Sequence, residues 1–229
     1  MADPRNPIAP ATMQQVFARY RRFREELFPA RQELFTHLKD RQDPDILFVT
    51  CSDSRIAPDL VIGSEPGDLF VCRNAGNIIP AYGEMMGGVS ATIEYAVTVL
   101  KVNAIVVCGH SDCGAMKALL NPESLVGLPT VSSWLHHAEA ARRIVAEGPA
   151  DRSPEDRLEE LIEENVLAQI EHLETHPSVV SRLRRGDLDL YGWVYRIQTG
   201  EILAFDTSKS RFVPLDESMP VATRPHRRR

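Results

Sequence analysis

An α/β fold, with a mostly parallel central sheet flanked by helices, is what this sequence predicts, and three observations carry the expectation. The apolar runs at 46–50, 69–72 and 104–108 are unbroken rather than alternating, the pattern of strands covered on both faces. Between the second and third runs, residues 88–101 set Val89, Ile93, Ala96, Val97 and Leu100 at helical spacing, which makes a strand, helix, strand unit with a right-handed crossover. Finally, 229 residues with 43% hydrophobic content are enough for one such domain with a substantial core.

The elements follow in order. Residues 1–10 hold three prolines and no apolar periodicity, so flexibility is expected there. From Thr12 a helical pattern begins, with Val16, Tyr20, Phe23 and Leu27 on one stripe, and a second short helix at 31–39 follows Pro29 with Leu34, Phe35 and Leu38 on one face. Together they form an N-terminal helical arm, residues 1–40. The core domain, 41–210, opens with the 46–50 strand. Helices are expected at 132–147 and 154–175, the second with Ser153 as N-cap and Pro154 in its first turn. Its stripe is Leu158, Leu161, Ile162, Val166, Ile170 and Leu173; the acidic residues of that segment lie mainly off the stripe, as on a solvated face rather than a cation site. A strand at 188–197, a turn at 198–201 and a strand at 202–205 read as a hairpin at the sheet edge. Residues 211–229 are expected to be a solvated tail.

Composition excludes several classes of function. Net charge is −6 even with Arg224, Arg227, Arg228 and Arg229 at the end of the chain, so no nucleic-acid footprint is expected. No uncharged apolar run approaches the ~18 residues of a membrane span, and the N-terminus lacks the apolar stretch of a signal peptide; no membrane partner and a cytoplasmic location are the expectations. Cys51, Cys72, Cys108 and Cys113 lie in or beside strand runs, as reduced thiols available to a metal would.

Two segments carry the chemistry: Cys51-Ser52-Asp53-Ser54-Arg55 and His110-Ser111-Asp112-Cys113-Gly114. Each follows an apolar strand run, and in open parallel sheets ligands gather at the carboxyl ends of strands. Cys51, His110 and Cys113 are therefore candidate zinc ligands, with Gly109 and Gly114 giving the second turn conformational room. Cys113 is expected to open a helix containing Ala115, Met116 and Leu119, whose dipole favours its thiolate. Three ligands leave the fourth tetrahedral position to water, as in catalytic rather than structural zinc. Cys72 and Cys108 are alternatives for that position, but both sit inside apolar runs where buried structural cysteine is the commoner fate. Two thiolates and a neutral imidazole cancel the charge of Zn²⁺, so neighbouring groups must help activate a bound water. Asp53 is placed to accept a hydrogen bond from it, and Arg55 to hold the carboxylate bidentately and keep it off the metal. Alone, the Asp-Ser-Arg turn reads as a surface salt bridge, and the second segment as a structural zinc corner or redox pair; their combination favours an open catalytic site.

These motifs resemble the β-class carbonic anhydrases over residues 46 to about 205. Arg73-Asn74-Ala75-Gly76-Asn77, Ile93-Glu94-Tyr95-Ala96, Glu164-Asn165-Val166 and Gly192-Trp193-Val194-Tyr195 share the likeness, which is greatest to bacterial and cyanobacterial members. The resemblance implies zinc on Cys51, His110 and Cys113, a catalytic dyad of Asp53 and Arg55, and reversible hydration of carbon dioxide to bicarbonate by zinc hydroxide. It implies that Gln42 donates its amide to a substrate oxygen across a dimer interface, where the residue-level alternative is a solvated loop glutamine. It also implies a homodimer or tetramer embraced by the N-terminal helices. Some members close the site by binding the aspartate to zinc while bicarbonate fills a pocket built from tryptophan, arginine and tyrosine. Arg73 and Tyr195 match that pocket, but Phe48 stands in place of the tryptophan and Thr50 in place of a glycine, so an open site is expected. The competing readings are hydrolysis of carbonyl sulfide or carbon disulfide on the same zinc, and a non-catalytic bicarbonate-binding protein, which would have no need of Asp53 and Arg55.

Overall fold

The computed structural model describes residues 12–216; the expectations for 1–10 and for the tail beyond 216 lie outside the described residues. The chain divides after Gln42 into two compact units.

In the first unit, helix α1 (Met13–Arg22) starts where the sequence places it. Thr12 accepts from the Gln15 backbone N–H while the Gln15 side chain accepts from the Thr12 N–H, a reciprocal capping box. The helix continues through a wider turn at Phe23–Leu27 into α2 (Phe28–Ala30), and α3 (Gln32–Leu38) follows. Phe23, Phe28 and Phe35 pack edge-on and stacked, with ring centroids 5.1 to 6.4 Å apart. Val16, Phe17, Tyr20 and Leu27 remain exposed.

The second unit holds one six-stranded sheet, β1 (Ile46–Cys51), β2 (Leu69–Asn74), β3 (Ala104–His110), β4 (Asp189–Tyr195), β5 (Ile202–Asp206) and β6 (Arg211–Pro214), in the order β2-β1-β3-β4-β5-β6. The first four strands pair in parallel and the last three antiparallel. The uninterrupted apolar runs of β1 and β3 are buried on both faces, as their lack of alternation requires. The expected hairpin is present, but the edge strand is β6, so the ordered domain continues past the expected boundary at 210. Four residues ending in proline carry too little pattern to read as a strand, and what holds them is pairing with β5.

The helices of this unit are α4 (Pro58–Ile62), α5 (Gly88–Glu94), α6 (Gly114–Leu120), α7 (Pro129–Leu135), α8 (Glu139–Ala146), α9 (Pro154–Leu173) and α10 (Pro177–Arg185). The expected 88–101 helix is α5 followed by a wide turn through Leu100, ended by Lys101 in the left-handed region. The single helix expected at 132–147 is instead broken: a tight three-residue turn at His136–Ala138 separates α7 from α8. Buried Leu135, Ala138 and Ala141 recur every three residues, and a three-per-turn winding keeps all three inward. Helix α9 runs as expected from its Ser153 cap, whose hydroxyl accepts from the Asp156 N–H, and it packs across β3 and β4. Helix α10 was unanticipated, although Pro177 at its start and Gly186 beyond its end, with φ of 73°, bracket it.

Candidate metal centre

Strands β1 and β3 are parallel neighbours, with Thr50 opposite Cys108, so both chemical segments emerge at the same end of the sheet. Fifty-eight residues apart in sequence, the two strand ends are tied directly by the Thr50 hydroxyl, which donates to the Cys108 carbonyl at 2.9 Å. The Sγ atoms of Cys51 and Cys113 and a ring nitrogen of His110 all lie within 4.8 Å of one another, and all three residues are buried. The two sulfurs are 4.0 Å apart.

The turn carrying His110 and Cys113 is fixed from the β4 side. The Ser111 N–H donates to the Tyr195 carbonyl at 2.9 Å, and the Ser111 hydroxyl accepts from the Ile197 N–H at 3.0 Å. Asp112 sits at φ 60°, a left-handed position that aspartate tolerates, and this reversal returns Cys113 to the cluster as the cap of α6. His110 Nδ1 lies 2.9 Å from the Ser111 carbonyl, which can only accept, so the proton is on Nδ1. The lone pair of Nε2 is thereby directed into the cluster, where that nitrogen is buried without a hydrogen-bond partner. Such an orphaned acceptor fits a metal ion.

The thiols are poised for the same purpose. Cys51 is pulled down to about 4, first by the hydrogen bond from Cys113, then by His110 and by the Gly76 and Asp53 amides, against the opposing effect of burial. The hydrogen bond to Cys51 in turn pushes Cys113 up, with burial and the Cys51 charge adding to it, while the Met116 and Ala115 amides at the start of α6 act the other way. Two buried cysteine sulfurs beside an imidazole nitrogen are a donor set that suits a thiophilic divalent ion such as zinc. Cys72 and Cys108 stay apart from this set. Burial pushes both thiols up, Cys108 to about 12, and the Cys108 S–H donates to the Gly109 carbonyl.

Asp53 and Arg55 form the expected fork. Arg55 Nε donates to Asp53 Oδ1 at 2.9 Å and Nη2 to Oδ2 at 2.8 Å, and the Arg55 backbone N–H adds a third bond to Oδ1. This guanidinium holds the Asp53 carboxyl well below the usual carboxylate range. Asp53 Oδ2 lies 3.9 Å from His110 Nε2, facing the three donors.

Sequence reasoning missed what holds Arg55. Its Nη1 donates to Asp112 Oδ2 at 2.8 Å and its Nη2 to the Asp112 carbonyl at 3.1 Å, while Lys117 pairs with the other Asp112 oxygen. Asp112 stands between His110 and Cys113 in the motif itself, but only its left-handed backbone turns it toward position 55. Arg73 was also not read as holding this loop. Its Nε and Nη2 donate to the carbonyls of Cys51, Asp53 and Ile56 at 2.7 to 3.0 Å, clamping the loop that carries Asp53. The Phe48 ring lies edge-on to Trp193, with centroids 6.1 Å apart. Gln42, the last residue of the first unit, is exposed.

Comparison with known proteins matches residues 46–202 to the sequence model of the carbonic anhydrase family. The chain is 51% identical over 205 residues to a carbonic anhydrase of Pseudomonas aeruginosa, covering 90% of this chain and 93% of that protein. It is 50% identical over 202 residues to one of Synechocystis, covering 88% and 74%. Among solved structures, the β-carbonic anhydrase CcaA superposes with a TM-score of 0.88 at 49% identity, covering 90% of this chain and 93% of that one. A tetrameric β-carbonic anhydrase of Sordaria macrospora gives 0.69 at 32% identity, covering 84% and 92%.

Proposed function

The chain belongs to the β-class carbonic anhydrases, a family of enzymes, and from that membership we propose that it hydrates carbon dioxide reversibly to bicarbonate and a proton, with zinc held by Cys51, His110 and Cys113. The observation that carries the reading is the buried donor trio with an ionised carboxylate held 3.9 Å from its imidazole nitrogen by a guanidinium. When bound, the metal supplies Lewis-acid activation of water as a nucleophile toward the carbon of CO₂.

The remaining work falls to the side chains. Asp53, kept ionised by Arg55, can only accept hydrogen bonds; through Oδ2 it fixes the O–H of the attacking water and leaves an oxygen lone pair free to face the substrate carbon. Arg55 engages both Asp53 oxygens, which restrains the carboxylate from becoming a further metal ligand and favours the open arrangement. Arg73 holds the loop, so that Asp53 moves little during turnover. Gln42 is assigned to a substrate oxygen through its side-chain amide, contributed between copies of the chain. The released proton leaves to water or buffer.

A homodimer is the minimum assembly in this reading, with a tetramer as the larger form; a tetrameric relative and the exposed apolar stripe of α1 support it. The four cysteines carry no disulfide, which suits the reducing cytoplasm. No described helix is long and apolar enough to cross a membrane.

The deciding test is stopped-flow CO₂ hydration by zinc-loaded protein at about pH 8.5, where water on such a metal is largely ionised. Fast turnover abolished by a chelator and restored by zinc is expected. A protein that retains zinc but does not turn CO₂ over would overturn the proposal, and carbonyl sulfide would be the substrate to try next.

A further inference from the structure

We propose that Trp134 is a positioning residue for the metal ligand Cys51, acting through a single peptide group. The Gly76 N–H donates to Cys51 Sγ at 3.4 Å, one of two backbone amides that do so. That N–H belongs to the same planar peptide unit as the Ala75 carbonyl. The carbonyl accepts from the Trp134 indole Nε1–H at 2.8 Å. Indole N–H, peptide and thiolate are thus in series, and a bond donated to the carbonyl end of a peptide polarises it and strengthens the donor at its other end.

The surroundings make this peptide a fixed one. Gly76 has φ of +82°, and a Cβ there would meet Met116 Cε at 3.0 Å and Ala115 Cβ at 3.1 Å, so the backbone comes closer to the start of α6 than a side chain allows. On the following peptide, the buried Asn165 amide donates to the Gly76 carbonyl at 3.0 Å. Gln169 Nε2 donates to Asn165 Oδ1 at 2.9 Å, and Gln169 Oε1 accepts from the Ile79 N–H at 2.7 Å. Helix α9 therefore anchors the loop independently of Trp134. Removing only the indole N–H leaves the loop in place and weakens one donor to one sulfur. Hydrogen bonds to a ligand thiolate draw charge from it and leave the metal a stronger Lewis acid.

The inference rests on the metal reading above, and the test separates the two. Cobalt(II) is loaded into the full chain in place of zinc, and the thiolate-to-metal charge-transfer band is recorded for the parent, for Trp134→Phe, which keeps an aromatic ring without the N–H, and for Val179→Ala, a truncation of a fully buried side chain in α10. Trp134→Phe is expected to move the band to longer wavelength, because a less hydrogen-bonded thiolate gives up an electron more easily, and to raise the midpoint of the CO₂ hydration pH profile in the zinc form. Val179→Ala is expected to lower Tm with the band unmoved. A parent band that Trp134→Phe leaves in place overturns this inference alone, as does an equal shift in Val179→Ala. A parent chain with no thiolate band overturns the metal reading and this inference with it.

Discussion

Arg55 is the residue on which both halves of the site converge, since one guanidinium spans Asp53 from the first segment and Asp112 from the second. The two contacts differ in kind. The Asp53 contact is a bidentate fork on a carboxylate that is only 17% exposed, and lysine cannot reproduce it. Arg55→Lys is therefore expected to lower kcat/KM by about 10²-fold, the scale of a misplaced reacting group, with zinc content unchanged by metal analysis. The Asp112 carboxylate is about half exposed, and such pairs are worth ~0–1 kcal/mol; Asp112→Asn should cost no more than about 5-fold in the same assay. Asp53 also links stability to pH. Its folded-state ionisation lies below the ordinary value of ~3.9, so its contribution is fully present above about pH 4 and is lost as pH falls through the lower folded value. Urea unfolding should show the stability gap between parent and Asp53→Asn narrowing as the solution is acidified.

Helix α9 sets the geometry one scale up. It lies close against β3 and β4 because Gly109 and Gly192 present no side chain to it: a Cβ at Gly192 would meet Ile170 Cδ1 at 2.9 Å and Val166 Cγ1 at 3.0 Å. Gly192→Ala should destabilise the protein by about 1–3 kcal/mol through overpacking, with Tm falling by roughly 2–4 °C per kcal/mol in a chain of this size. The same helix shows what the sequence makes legible. Its apolar stripe and Ser153 cap are local signals, and so are the buried runs of β1 and β3; the run of β2 reads the same way in sequence but lies at a sheet edge, with Val71 exposed. The buried cluster of Cys51, His110 and Cys113 was legible because metal-binding residue types sit at strand ends, a place fixed by fold class alone. Asp112, Asn165 and Trp134 were not read as parts of the site because their partners are set by a left-handed turn or by tertiary approach, neither of which leaves a spacing in the chain. The break between α7 and α8 was hidden because a three-residue and a four-residue recurrence of Leu135, Ala138 and Ala141 look alike in sequence.

At the scale of the molecule, the arm presents an apolar stripe with Phe17 and Tyr20 each 60% exposed, a surface that the proposed self-association would cover. Sedimentation velocity is expected to give at least a dimer for the full chain and a smaller species when residues 1–40 are removed. The parallel register of β1 and β3 has a consequence in time as well as in space. Cys51 precedes Cys113 by 62 positions, so at roughly 5–20 residues per second it leaves the ribosome on the order of 3–12 s before its partner sulfur. Through that interval Cys51 is a lone thiol without the heightened acidity that its neighbours later confer. Capacity for the ion arrives in a single step, when β3 docks beside β1. Chains stalled with β3 still inside the exit tunnel should retain no zinc, and chains stalled after α9 has emerged should retain one ion each.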